Sequence, residues 1–269
     1  LLTGLMLKKF KLEGLVHKLV KLIFLGGIST FIWGALFGGW FGNIVDAVTA
    51  GAYTIPPMWF NPLDDPMRLL IWSFVFGGLH LYAGMGMKAY MLIRDGKVWD
   101  AIFDIGFWYL VLTGVVLLAL GGAAGIIGKY MAVIGAIGLI LTQGRAEKNI
   151  FKKITSGVLS LYNITGYLSD VLSYSRLLAL GLATGVIASV INTMGTIMGM
   201  NFFGIIVLIV AFVAGHGFNI AINALGAYVH ASRLQYVEFF GKFYESGGKE
   251  FKPFKINTKY VDIKNEEVI

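Results

Sequence analysis

Cysteine is absent from the 269 residues, so neither a disulfide framework nor a thiolate metal site can be built from them. Histidine is scarce: the four present, His17, His80, His216 and His230, show none of the spacings of a zinc site, and no metal is expected. Charge is the third shortage. Asp, Glu, Lys and Arg together make 14% of the chain, where soluble domains carry about a quarter. Proline is thin too, with four of its five copies between residues 56 and 66 and the fifth at 253, which leaves the long apolar runs free of proline except at the start of the second. No phosphate-binding loop or paired nucleophile and base stands out, so ATP hydrolysis on this chain and a bound cofactor are not expected.

What fills the space is apolar. Hydrophobic residues make 57% of the sequence, and the mean hydropathy is +0.75. Several windows exceed the ~18 apolar residues that span a bilayer, so an integral, polytopic, all-α membrane protein is expected, with the lipid bilayer as its surroundings. The net charge of +7 could suggest a nucleic-acid binder. The lysines and arginines instead fall between the apolar windows, where they report topology, and no nucleic acid is expected.

Helices are expected over residues 22–41, 67–93, 101–120 and 126–141, then over two long stretches, 157–198 and 202–244. Gly34, Gly38 and Gly42, spaced i, i+4, i+8, predict a close-packing face at the end of the first. Residues 43–66, with their prolines and Asp46, Asp64 and Asp65, read as an irregular loop without Lys or Arg. Each long stretch would reach about 60 Å at 1.5 Å per residue, twice the hydrocarbon thickness, so the last two helices are expected to tilt strongly, bend or project. The expected parts are the end of a truncated preceding helix (1–13), a four-helix transmembrane part (14–145), two long ion-channel helices (146–248) and a solvated tail (249–269). On an alternating path the basic segments 8–21, 94–97 and 145–153 and the C-terminal lysines share one side, which the positive-inside rule assigns to the cytoplasm with both chain ends.

Polar residues on the long stretches form stripes. Tyr162, Thr165, Ser169, Ser173 and Arg176 follow helical spacing towards Thr184, with Asp170 beside them. His216, Asn219, Asn223, Gly226, His230 and Arg233 form a second face, ending at Gln235 and Glu238. An arginine in mid-helix costs roughly 2.5–3.5 kcal/mol even on the lenient insertion scale. Arg176 and Asp170 are six residues apart and point in different directions on a regular helix. Asp170 therefore needs another partner, and Arg176 is left to face something outside the chain. The stripes could be bundle glue, or they could line two water-filled half-channels separated by a fixed charge. A secondary transporter with an arginine-lined anion site is the alternative, although no inverted repeat is visible between the halves.

SYSRLLALGLA (173–183), the segment 215–248 beginning GHGFNIAINALGAYVHASRLQYVEFF, and GISTFIWGALFGGWFG (27–42) resemble the large membrane stator subunit of V/A-type rotary ATPases, subunit a or subunit I. The resemblance implies a C-terminal membrane domain touching a ring of proteolipid subunits, with peripheral-stalk and central-stalk-associated subunits as further partners. It implies that Arg176 meets the ring carboxylate that carries H⁺ or Na⁺, and that Arg233 is the second arginine. Tyr162, Ser169, Asp170, Ser173, Asn219, Asn223, His230, Gln235 and Glu238 would line the half-channels. Eukaryotic members carry a glutamate where this chain has Asn223 and a histidine where it has Thr184, so a prokaryotic cell-membrane enzyme fits better.

Overall fold

The computed structural model describes residues 3–4, 14–145, 150–245, 247–248 and 251, and among them it holds helices and no strand. In chain order these are α1 (Gly14–Phe37), α2 (Ile44–Val48), α3 (Pro66–Arg94), α4 (Val98–Ala101), α5 (Phe107–Leu120), α6 (Gly122–Gln143), α7 (Ile150–Leu161), α8 (Asn163–Ser173), α9 (Ser175–Thr196) and α10 (Phe202–Arg233). A π turn, Ile102–Gly106, joins α4 to α5, and a second, Leu234–Phe239, carries α10 into a 3-10 turn at Phe240–Lys242. Six helical spans are long and apolar enough to cross a membrane, the last two being Thr155–Thr196 and Phe202–Lys242, 42 and 41 residues long. The expected helix end at 1–13 and the tail at 249–269 fall outside the described residues, apart from residues 3–4 and 251.

α1 begins at Gly14, taking in His17, Lys18 and Lys21, and stops at Phe37. Lysine stems can lie along an apolar helix while their ammonium groups reach water, so those residues do not bar the helix. Its early end corrects the expected glycine face, because Gly38 and Gly42 lie beyond the helix with φ of +68° and +69°. Gly42 lets the following loop touch α9; a Cβ there would sit 2.9 Å from the Ala188 Cβ. That loop is not wholly irregular either, since α2 forms within it. α3 then starts on Pro66, with the Asp65 side chain accepting from the Arg68 amide at 3.3 Å.

The core lies where α3 meets α5 and α6. Leu81 and Met85 of α3 bury against Ile105, Trp108, Val111 and Leu139, and α8 covers them with Tyr167 and Val171. α1 buries no residue and is held at its end by Phe37 against Trp59 and Phe60. The penultimate span is broken twice, at Tyr162 and at Tyr174. At Tyr174 the backbone uses i→i−3 bonds, from its own N–H to Val171 at 3.1 Å and from Leu177 to its carbonyl at 2.9 Å. At the end of α6, Arg145 bridges Asp100 at 2.8 Å and Asp104 at 2.9 Å. Its hydrogen bond to Asp104, ahead of the other contributions, raises the Arg145 pKa. Asp104 is thus held in the first π turn.

Candidate functional site

Arg176 stands one residue into α9, immediately after the break at Tyr174, with 23% of its side chain exposed. The one carboxylate within 4.0 Å of it among the described residues is Glu238, Nη2 to Oε1 at 3.9 Å, too long for a hydrogen bond. Glu238 arrives there because of the second π turn. Carrying the 3-4 spacing of α10 past Arg233 would turn Val237 inward; instead Val237 is 58% exposed and Glu238 only 4%. A π turn adds a residue to the helical repeat and rotates everything after it. Arg176 Nη1 and Glu238 Oε2 are both buried, and neither has a hydrogen-bond partner among the described residues.

One polar run lies between α9 and α10, beginning at Thr184, eight residues past Arg176. The Thr184 hydroxyl lies 2.8 Å from both the Leu180 carbonyl and Asn223 Oδ1, sharing its proton between them. Asn223 donates to the Asn219 carbonyl at 2.8 Å, and Asn219 donates to the Thr184 carbonyl at 3.3 Å. Further along, the Asn192 amide donates to the Phe41 carbonyl at 2.8 Å and to Asn43 Oδ1 at 3.2 Å. Its Oδ1 is therefore an acceptor, so His216 Nε2–H donates to it at 2.9 Å. The run ends at the loop after α1.

A second run extends the other way along the long spans. Lys242, one helical turn beyond Glu238, closes an ion pair on Asp170, and its ammonium lies 4.6 Å from the centre of the Tyr167 ring. Beside them is a cavity of about 60 Å³, lined by Met85, Lys88, Asp104, Ile105, Tyr167 and Lys242. It is roomy and polar enough for water, and Asp104 connects it to Arg145. Between the runs, His80 stacks on Phe239 at 4.3 Å and its Nδ1 hydrogen-bonds the Tyr174 hydroxyl.

The structure sets Glu238 beside Arg176, pairs Asp170 with Lys242 about a turn further along, and places Asn219 and Asn223 against Thr184 in the run between α9 and α10; it leaves His230 half-buried. It does not gather the start of the first stripe. Tyr162 and Ser169 are exposed, and Ser173 is half-buried and returns its hydroxyl to the Ser169 carbonyl at 3.0 Å. Arg233 and Gln235 are exposed, and Arg233 has no carboxylate within 4.0 Å among the described residues. Asp170 does have another partner, as its mismatch with Arg176 required, but that partner is Lys242. Arg176 does not face only outward, because the π turn brings Glu238 behind it. Asn192 and Lys242 were missed. Both extend the helical spacing already seen, Asn192 eight residues after Thr184 and Lys242 four after Glu238.

Six spans and a charged pair buried where the two longest meet define a polytopic α-helical membrane protein. The family described as "V-type ATPase 116kDa subunit family" matches residues 159–256, the region that supplies both arginines and Glu238. The chain is 34% identical, over 91% of its length, to the A-type ATP synthase subunit I of Methanocaldococcus jannaschii, of which it covers 39%. It is 35% identical, over 92% of its length, to the protein of the same name from Thermococcus kodakarensis, covering 38% of that chain. A V-type ATP synthase subunit I of Chlamydia pneumoniae is 28% identical over 68% of this chain and 27% of its own. The chain is thus similar over most of its length to subunit I proteins of A-type ATP synthases, and over residues 159–256 to that family. It spans about two fifths of the length of the archaeal relatives it matches.

Proposed function

We propose that this chain is the membrane part of the stator subunit of a rotary V/A-type ATPase, in which Arg176 meets a carboxylate on a turning proteolipid ring. The observation that carries the reading is Arg176 itself, a cation partly open to the outside and loosely held at 3.9 Å by its internal acid. The names of the relatives, A-type and V-type ATP synthase subunit I, supply the complex.

In this reading the two polar runs act as half-channels. An H⁺ or Na⁺ entering by one neutralises the ring carboxylate, which can then face lipid. Near Arg176 the carboxylate is driven to ionise, because an adjacent guanidinium lowers a carboxylate pKa by ~1–3 units. Moving one charge through the membrane field is worth about 2.3 kcal/mol per 100 mV, and torque from the catalytic head supplies it. Residues 14–145 form the packing frame and 146–248 the ion path. The ring, the peripheral stalk and central-stalk-associated subunits are its partners, in a prokaryotic cell membrane with both ends of this chain cytoplasmic.

The test is ATP-driven pumping by the complete complex in proteoliposomes. Arg176→Ala should abolish pumping while ATP hydrolysis by the detached head persists; near-normal pumping would refute the assignment. Arg233→Ala should lose less, since Arg233 is exposed and has no carboxylate within 4.0 Å among the described residues.

A further inference from the structure

We propose that Glu238 is the proton acceptor for the carboxyl group that Arg176 meets, so that the guanidinium exchanges an internal carboxylate for an external one as the proton moves the opposite way. This rests on the stator reading and on H⁺ as the transported ion.

Two acids stand near Arg176, and only one is free to take a proton. Asp170 is closed by Lys242. Glu238 is 4% exposed, its one cation within 4.0 Å among the described residues is Arg176, and its Oε2 is buried with no partner. Arg176 Nη1 is equally unpaired, so the internal contact leaves hydrogen-bonding capacity on both sides. A buried polar atom left without a partner costs about 1–3 kcal/mol, more when charged, so this arrangement is poised to change. The other titratable groups around Glu238 are His80 on α3 and Tyr174 at the helix break, already bonded to each other, and Lys242, held by Asp170. None of these offers Glu238 a second cation.

Charge balance favours the exchange. Before it, the site holds a guanidinium, the Glu238 carboxylate and a neutral visiting acid. In the step an O–H bond breaks on the visiting carboxyl and an O–H bond forms on Glu238. Afterwards the guanidinium faces the visiting carboxylate and Glu238 is neutral. The sum of charges is zero throughout, and at no stage does a low-dielectric pocket hold an unpaired ion, which would cost several kcal/mol. As the visiting group is reprotonated from the other run and leaves, Glu238 gives its proton to water on the side of the cavity beside Asp104. Arg176 thus returns to a carboxylate while the Lys242–Asp170 pair stays closed. ATP-driven pumping runs the same exchange in reverse.

The experiment compares Glu238→Gln, Glu238→Asp and Arg176→Ala in the complete complex in proteoliposomes, measuring ATP-driven acidification as a function of pH. Removing a proton-transfer group costs 10²–10⁴-fold, so Glu238→Gln should pump at least roughly 10²-fold more slowly. Glu238→Asp keeps a carboxyl, so it should still pump, with its pH–rate profile displaced. Glu238→Gln pumping at the wild-type rate and profile would overturn the proposal. If Glu238→Gln fails to assemble, Glu238→Asp decides, and an unchanged profile overturns it. An ATP-driven Na⁺ flux that survives in Glu238→Gln overturns it as well. Normal pumping by Arg176→Ala would instead sink the stator reading, a failure recognisably different from the others.

Discussion

At the scale of single residues, two ion pairs about one helical turn apart differ in kind. Lys242 and Asp170 are closed together with a fifth of each side chain exposed, and the ammonium also faces the Tyr167 ring. Arg176 and Glu238 stand 3.9 Å apart with an unpaired atom on each. The closed pair fixes the end of the last span to α8; the open one can change partners. Lys242→Ala should therefore destabilise the protein by up to about 3 kcal/mol, because it strands Asp170 in a half-buried site. Lys242→Ala combined with Asp170→Asn should recover most of that loss. Thermal unfolding in detergent checks this, and an additive double variant would mean that the pair is not coupled.

At the scale of helices, breaks decide which side chains meet. Tyr174 is buried because α8 and α9 bend around it, and α3 admits its ring at Gly77, where a Cβ would lie 2.8 Å from the ring. Gly77→Ala should cost about 1–3 kcal/mol through overpacking. It should also loosen the His80 contact, visible as a lower melting temperature and altered tyrosine fluorescence; an unchanged melt would mean that the bend does not depend on this approach. These breaks also mark where the sequence stops being legible. The spans were readable because hydropathy and helix length are local properties. The stripe from His216 to Asn223 was readable because α10 is regular there. Glu238 stands at the end of the second stripe in the sequence, but its burial beside Arg176 is not legible there, since a π turn leaves no sign in a 3.6-residue pattern. Tyr162 and Ser169 share the helical spacing of the first stripe but are exposed, in a span broken at Tyr162 and at Tyr174. Gly38 and Gly42 kept helical spacing in a segment where the helix had already ended.

Across the whole molecule, the two polar runs extend in opposite directions along the long spans from Arg176. One ends with Asn192 on Phe41 and Asn43, beside the loop that precedes α3. The other passes the cavity to Asp104 and Arg145, near the far end of α3. α3 runs from Pro66 to Arg94, so its two ends separate the mouths. The end with Arg94, Lys97 and Arg145 is basic, whereas the loop over residues 43–66 carries only acids, and the positive-inside rule assigns the basic end to the cytoplasm. The lack of cysteine makes this assignment testable without background from these residues. Met58→Cys, in the acidic loop, should react with a membrane-impermeant maleimide in intact cells. Lys97→Cys should react only after the cells are opened. Both positions are exposed, so reactivity reports sidedness rather than burial. Labelling of both from one side would mean that the two runs do not open to opposite compartments. Arg176 could then not separate an entry path from an exit path, however tightly it held a carboxylate.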